Sequence, residues 1–189
     1  MKKILIINGS MTGSLGNTQK IVILAIEYLK KMNCEIRIHH IDSDLTILKN
    51  NLIWSEALVM ATGTYWDSWS SQFQKFIEDL TNFEASEEIL FKPVSTIVSM
   101  HAFGGKEVMS RLQGILNTMG FMIPPMSGFV YGLAIHEALN QDEDFAKDFW
   151  SLDDLEIVMH NLVTALDERP QYKAWPVDKK DPKRIWLNL

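Results

Sequence analysis

The stretch that most constrains the fold of this 189-residue chain is residues 4–18, ILIINGSMTGSLGNT. Ile4–Ile7 form a short apolar run of the kind found in buried strands. A loop of glycines and hydroxylated residues follows, and apolar residues then recur at helical spacing from about Thr18. A buried strand that leads through such a loop into a helix is the unit around which the rest of the chain is expected to be organised.

Apolar runs and helical stripes continue to alternate along the chain, which predicts an α/β fold with a doubly wound, five-stranded parallel sheet. Asn17 or Thr18 is the expected N-cap of the first helix, and Gly120 is the expected C-cap of the fourth. Residues 1–169 are predicted to form one domain, and residues 170–189 an irregular, partly packed tail. Strands are predicted at residues 4–7, 35–41, 57–61, 94–100 and within 121–130, and helices at about 18–32, 46–54, 73–83, 108–119 and 142–166.

The first loop has the composition of a phosphate site. Backbone N–H groups at a helix N-terminus favour an anion, and hydroxyl and amide side chains add donors. The loops that follow strands one, three and four would share one edge of a parallel sheet, where ligands bind in such folds. The donors expected in the first loop are Ser10, Thr12, Gly16, Asn17 and Thr18.

The phosphate type follows from what this loop lacks. Asn17 stands where a nucleoside triphosphate loop requires lysine. The glycines at positions 9, 13 and 16 are too widely spaced for a dinucleotide fingerprint, although Asp42 after strand two could bind a ribose. Uncharged donors suit a single terminal phosphate, such as that of FMN. Tyr65, Trp66 and Trp69 then offer flat surfaces for a flavin ring, although a core or interface cluster is the alternative role for these rings.

These motifs, in this order, resemble one family: the flavodoxin-like NAD(P)H-dependent FMN reductases and their quinone- and azo-reducing relatives. The family's phosphate loop is similar to Gly9-Ser10 followed by Gly16-Asn17-Thr18. Its flavin-ring loop is similar to residues 62–68, TGTYWDS, which lead to Phe76-Ile77-Glu78. Its glycine pair after strand four is similar to Gly104-Gly105-Lys106-Glu107. The resemblance covers about residues 2–125.

The resemblance implies strand order 2-1-3-4-5, bound FMN, and NADPH or NADH as co-substrate. The flavin itself would carry the chemistry, so no catalytic side chain is required. His101 suits a hydrogen bond to the flavin or substrate as well as it suits capping the next helix. The expected cofactor-binding residues are Ser10, Thr12, Gly16, Asn17, Thr18, Thr64, Tyr65, Trp66, Asp67, His101, Gly104 and Gly105.

Three parts of the chain depart from the family pattern. Thr12 stands where arginine is frequent, so N–H donors alone would balance the phosphate charge. Gly63 replaces a usual proline, which predicts a less rigid ring loop. Residues 101–103, His-Ala-Phe, stand where small residues are usual.

Three functions remain open. The first is an oxidoreductase that passes electrons from NAD(P)H through FMN to a quinone, an azo compound or free flavin. The second is a flavodoxin-type electron carrier that does not oxidise NAD(P)H. The third is a flavodoxin-like scaffold that has lost or changed its ligand, which the departures at Thr12 and Gly63 allow. The extra tail and the scarcity of acids in the ring loops favour the enzyme, and a homodimer is expected from the resemblance.

Composition excludes several other classes. A net charge of −6 argues against nucleic acid or an anionic membrane as partner. Cys34 is the single cysteine, and the chain has no signal peptide and no membrane-length apolar run, so a cytoplasmic protein is expected. The histidines show no metal-ligand spacing, and no metal site is predicted.

Overall fold

The structure, a computed structural model, describes residues 1–41, 44–140, 150–168 and 171–177. A single sheet of five parallel strands forms its centre, in the order β2-β1-β3-β4-β5. This is the predicted order. The strands are β1 (Lys2–Asn8), β2 (Cys34–His40), β3 (Ala57–Gly63), β4 (Val94–Met100) and β5 (Gly128–Gly132).

Strand β3 lies in the middle of the sheet, and all seven of its residues are buried. It pairs with β1 from Ile4↔Ala57 onward and with β4 from Leu58↔Val94 onward. A strand covered on both faces needs apolar residues throughout rather than in alternation, which explains the continuous run from Ala57. Strand β3 therefore extends two residues beyond the predicted run, into the ring loop.

Helices cover both faces of the sheet, as the doubly wound prediction requires. Leu5 and Ile7 of β1 face a core shared with α2, α3 and α4, whereas Ile4 and Ile6 face a core shared with α1 and α6. The alternation arises because successive side chains of a strand point to opposite faces. The helices are α1 (Asn17–Lys31), α2 (Leu45–Trp54), α3 (Ser71–Leu80), α4 (Gly105–Met119), α5 (Leu133–Leu139) and α6 (Leu155–Ala165).

Two predicted elements need correction, and one helix is additional. The predicted helix from Asp142 to Leu166 is wrong as one element, because Ser151 is extended and forms a capping box with Asp154 at a new helix start. Residues 141–149 lie outside the described part of the chain. Strand β5 runs from Gly128 to Gly132 and so ends two residues beyond the predicted segment. Helix α5 was not predicted, since its seven residues are too few to show a helical stripe.

Two helix ends follow from local chemistry. Asp44 caps α2 by accepting a hydrogen bond from the Thr46 backbone N–H at 2.6 Å, and this bond lowers the pKa of the Asp44 carboxyl. Gly120 closes α4 in a left-handed conformation with φ 111°, which confirms it as the C-cap.

Candidate functional site

The buried side chain of Asn8 holds the loop between β1 and α1 in place. Its amide nitrogen donates to the Gly13 carbonyl at 3.2 Å and to the Gln19 side chain at 2.6 Å. Its oxygen accepts from the Ser10 backbone N–H at 3.0 Å. The sequence analysis missed this role because an asparagine at the end of a strand has no distinctive pattern. Three hydrogen bonds from one fully buried polar residue thus help to hold this loop in its conformation.

Helix α1 begins without a side-chain cap. Its N-cap position is Gly16, and no side chain accepts a hydrogen bond from the first turn. The prediction that Asn17 or Thr18 caps this helix is wrong: Thr18 is buried and its hydroxyl shares a hydrogen bond with Ser99, with an Oγ1–Oγ distance of 2.6 Å. The Asn17 and Thr18 N–H groups are therefore available to an anion at the positive end of a 15-residue helix, whereas the Gln19 N–H donates to the Gly16 carbonyl at 3.1 Å.

The ring loop ends in a tight two-residue turn between Tyr65 and Ser68. The Tyr65 N–H donates to the Ser68 carbonyl at 2.6 Å, and the reverse bond measures 3.0 Å. The central residues, Trp66 and Asp67, have φ of 48° and 56°. Such turns normally use asparagine and glycine, so Trp66 is held in a strained backbone conformation with its side chain fully exposed.

The loop after β3 and the loop after β4 are in close contact at Asp67 and Gly104. Gly104 has φ 81°, and a Cβ at this position would collide with the Asp67 carboxylate. Gly105 is buried, and a Cβ there would meet the side chains of Val130 and Met100. Packing therefore requires both glycines, whether or not they also approach a ligand. Gly104 occupies the N-cap of α4 and no side chain caps that helix, so His101 does not act as its cap.

One cleft of about 620 Å³ gathers most of the predicted residues at the carboxyl ends of the strands, between α1 and α5. This volume is in the ordinary range for a cofactor site. Trp66, Asp67, Gly104 and Gly105 do not line it, and their contact with a flavin remains a prediction. The predicted residues that do line it are Ser10, Thr12, Gly16, Asn17, Thr18, Thr64, Tyr65 and His101.

The cleft also contains residues that the sequence analysis did not select: Lys20, Ser99, Tyr131 and His136. Lys20 lies in the first turn of α1, directly after the phosphate loop, and its position in the sequence could have indicated that it lies near the phosphate. Ser99 lies one residue before the end of β4, and only the sheet order brings it to Thr18. Tyr131 and His136 belong to β5 and α5, the region whose boundaries the sequence did not define.

The charged and titratable groups in the lining are all bases or phenols. Lys20, His101 and His136 line the cleft together with Tyr65 and Tyr131, and no carboxylate lies among the described lining residues. The whole chain carries a net charge of −6, so the charge of this cleft is opposite in sign to that of the protein as a whole. The arrangement favours an anionic ligand.

A second cavity, of about 770 Å³, opens on the other side of the first loop. Its lining includes Asn8, Ser10, His40 and Lys75, but no residue of the ring loop and none from the loop after β4. A ligand there could touch the phosphate loop but could not reach Tyr65 or His101. The smaller cleft is therefore the candidate site.

Several other side chains have structural roles. Trp69 is buried, donates to the Gln74 side chain at 2.7 Å and lies under the Arg111 guanidinium, so it belongs to the core rather than to the cleft. Cys34 is buried, and burial raises the pKa of its thiol. Asp42 lies outside the described residues. Among the residues that are described, no group of three metal-ligating side chains is found, and no helix is long and apolar enough to cross a membrane.

Comparison with known proteins decides the class. Residues 2–135 match the profile of the family described as NADPH-dependent FMN reductase. The chain belongs to this family. It is accordingly a flavin-dependent oxidoreductase with FMN as its cofactor. Curated protein sequences give no match.

Solved structures share the fold of this family member at low identity. RosB, solved with bound 8-demethyl-8-formylriboflavin-5′-phosphate, has a TM-score of 0.68 and 14% identity over 100% of this chain and 96% of that chain. An NADH:FMN oxidoreductase, EmoB in its apo form, has a TM-score of 0.64 and 17% identity over 90% and 92% of the two chains. A flavodoxin from the domain Archaea has a TM-score of 0.63 and 15% identity over 88% and 99%. These likenesses establish a flavodoxin-like fold.

Proposed function

We propose that FMN binds in the 620 Å³ cleft, with its phosphate on the loop from Ser10 to Thr18 and its ring beside Tyr65 and His101. The protein then passes electrons from NADPH or NADH to a small acceptor such as a quinone, an azo compound or free flavin. The observation that carries this proposal is the uncapped start of α1, which opens into a cleft whose described lining residues include no carboxylate.

The residues present fit a phosphorylated flavin. Thr64 has a buried hydroxyl with no hydrogen-bond partner among the described residues, and it lines the cleft. A buried hydroxyl without a partner is unfavourable by roughly 1–3 kcal/mol, so a ligand that bonds to it gains that energy. Neutral donors on the loop and Lys20 beside it suit the phosphate, while Tyr65 offers a flat surface to the ring.

Each part of the chain then has a defined task. FMN, when bound, accepts a hydride from the nicotinamide and passes the electrons on. The loop residues and the first turn of α1 hold the phosphate, and the Asn8 hydrogen bonds keep that loop in one conformation. Tyr65, which lines the cleft, excludes water from one side of the ring.

A purified sample distinguishes the enzyme from a flavodoxin-type carrier. We expect a yellow protein, or one that turns yellow with added FMN, that oxidises NADPH or NADH when a quinone is present. A yellow protein that leaves both nicotinamides unchanged would instead be a carrier. A protein that cannot be loaded with FMN would contradict both functions.

Asn17→Leu tests the placement of the phosphate. Asn17 is exposed at the first position of α1, so the change should leave the fold intact while removing a donor and blocking the first-turn N–H groups. FMN affinity, measured by fluorescence titration of the flavin-free protein, should fall at least tenfold, or about 1.4 kcal/mol. Asn50→Leu on the exposed face of α2 is the matched control. Equal affinity in the two variants would show that the phosphate binds elsewhere.

A further inference from the structure

Thr18 and Ser99 form a buried pair of hydroxyl groups in the lining of the cleft. Thr18 is the second residue of α1 and Ser99 is the sixth residue of β4. Only 2% of Thr18 and 9% of Ser99 is exposed. Among the residues that the structure describes, each hydroxyl has the other as its only hydrogen-bond partner, at 2.6 Å. The two groups therefore act as one unit.

This pair has one hydrogen more than it can use internally. A hydroxyl group carries one hydrogen to donate and two lone pairs that accept. The bond between Thr18 and Ser99 uses one of the two hydrogens, so the other has no acceptor in the described part of the chain. A buried donor without an acceptor is unfavourable, which favours a ligand that accepts hydrogen bonds. An ionised phosphate offers three acceptor oxygens.

The positions of the two residues determine which hydrogen is free. Thr18 lies at the start of α1, beside the N–H groups that are available to an anion. Ser99 lies inside the sheet, between Gly63 of β3 and Tyr131 of β5. An anion at the start of α1 attracts the hydrogen of Thr18, and Ser99 then donates to Thr18 Oγ1. A hydroxyl that accepts one hydrogen bond donates a stronger one, because bonds in a chain polarise one another.

The backbone of Ser99 also holds the loop after β3. Its carbonyl accepts a hydrogen bond from the Thr64 N–H at 2.8 Å. Ser99 thus contacts the start of α1 through its side chain and the ring loop through its backbone. A Cβ at Gly63 would lie 3.5 Å from Thr18 Oγ1, so the glycine leaves the Thr18 hydroxyl uncovered on that side. These contacts fix the direction in which Thr18 can donate.

We propose that Ser99 positions the phosphate of FMN through Thr18: the Ser99 hydroxyl donates to Thr18, and the Thr18 hydroxyl donates to a phosphate oxygen. This inference rests on the proposed function, because it takes the phosphate to lie at the start of α1. It also gives the site a means of selecting FMN over riboflavin. A hydrogen bond to a charged oxygen is roughly twice as strong as one between neutral groups.

Ser99→Ala tests the inference because it removes the hydroxyl that orients Thr18 and keeps the backbone bond to Thr64. Fluorescence titration of the flavin-free protein measures its affinities for FMN and for riboflavin. FMN affinity should fall about fivefold, as expected for one lost hydrogen bond, and riboflavin affinity should stay the same. Ser95→Ala is the matched control, because Ser95 is a buried serine on the same face of β4 that does not line the cleft.

Two substitutions of Thr18 separate the effect of its hydroxyl from that of its methyl group. Thr18→Val should lower FMN affinity at least tenfold, since a hydrogen bond to a charged group is lost, whereas Thr18→Ser should retain the affinity. In the Thr18→Val protein, Ser99→Ala should have no further effect on the ratio of FMN affinity to riboflavin affinity. Additive losses in the double variant would show that Ser99 does not act through Thr18 and would overturn the inference.

The outcomes distinguish this inference from the proposed function. Equal loss of FMN and riboflavin affinity in Ser99→Ala, or loss of neither, would show that Ser99 only supports the fold. If Asn17→Leu lowers FMN affinity while Ser99→Ala does not, the phosphate lies at α1 and only the inference is wrong. If the wild type binds neither flavin, the proposed function is wrong, and the inference with it.

Discussion

At the scale of one residue, Thr64 is a side chain that suits ligand binding but lowers the stability of the flavin-free protein. Its buried hydroxyl has no partner in the described part of the chain. Thr64→Val removes that hydroxyl and keeps the shape, so the free energy of unfolding of the flavin-free protein should rise by about 1 kcal/mol. FMN affinity should fall by a similar amount. Chemical denaturation and flavin titration measure the two effects.

Ser95 provides the control for this pair of opposite effects. It is fully buried on β4, its hydroxyl is also without a partner in the described residues, and it does not line the cleft. Ser95→Ala should therefore leave FMN affinity unchanged. If Thr64→Val destabilised the protein without weakening FMN binding, the Thr64 hydroxyl would have a structural role and would not bind FMN.

Lys92 gives the stability of the protein a dependence on pH. The half-buried ammonium group donates to the carbonyls of Leu52 and Ser55, at 2.5 Å and 2.7 Å, near the end of α2. Burial is the main cause that lowers the pKa of Lys92 to about 8. Between this value and the unfolded value of about 10.5 the unfolded chain binds more protons than the folded one.

The free energy of unfolding contributed by Lys92 should thus rise as pH increases from about 8 to about 10.5. Solvent screening of a half-buried group limits the rise to roughly 1 kcal/mol. Urea denaturation of the wild type and of Lys92→Met across this range measures the difference. A constant difference between the two proteins would show that Lys92 titrates at its ordinary pKa.

At the scale of elements, one added methyl group at the contact between the loop after β3 and the loop after β4 should destabilise the protein. Gly104→Ala forces a side chain into a left-handed backbone position and against the Asp67 carboxylate. The expected loss of stability is roughly 1–3 kcal/mol. Thermal unfolding of the flavin-free protein measures it.

Gly114→Ala is the control in the same helix. Gly114 lies on the exposed side of α4, and a Cβ there meets no atom within 4 Å. Alanine should stabilise the helix by about 0.5–1 kcal/mol, since glycine is a poor helix former. If both substitutions changed the stability of the protein in the same direction, the proposed collision at Asp67 would be wrong.

At the scale of the whole molecule, the tail should be dispensable for flavin binding. Among its described residues, Tyr172 contacts Phe91 with ring centroids 5.7 Å apart, next to Met122 at the opposite end of the sheet from the cleft. A chain that ends at residue 169 should keep its FMN affinity. Its free energy of unfolding should fall by about 0.5–1.5 kcal/mol, which is the usual contribution of one aromatic pair. Flavin titration and denaturation of the truncated protein check this, and loss of FMN binding would contradict it.

The homodimer and the cytoplasmic location remain predictions from the sequence. Sedimentation of the FMN-loaded protein would measure the oligomeric state directly. A monomer at all concentrations would show that one chain closes the flavin site alone.

Where the sequence analysis succeeded, local chemistry was sufficient. The bounds of β4 matched at Val94 and Met100 because Pro93 marks its start and a loop marks its end. The predicted cap of α1 was wrong. Asn17 and Thr18 have side chains that often cap helices, but the Thr18 hydroxyl forms a hydrogen bond with Ser99 instead. For Trp69 the core alternative holds, because its ring packs under the Arg111 guanidinium and its indole N–H donates to Gln74.

The sequence by itself determined the alternation of strands and helices, the phosphate-type loop and the family resemblance, since each depends on residues close together in the chain. Only the tertiary structure decided which side chains meet: Thr18 with Ser99, Asp67 with Gly104, and Tyr131 with His136. These pairs join different strands, loops and helices, and the order of the sheet brings them together. The loop at residues 4–18 could be found from the sequence, but the uncapped helix start that makes it a site depends on where the fold directs its side chains.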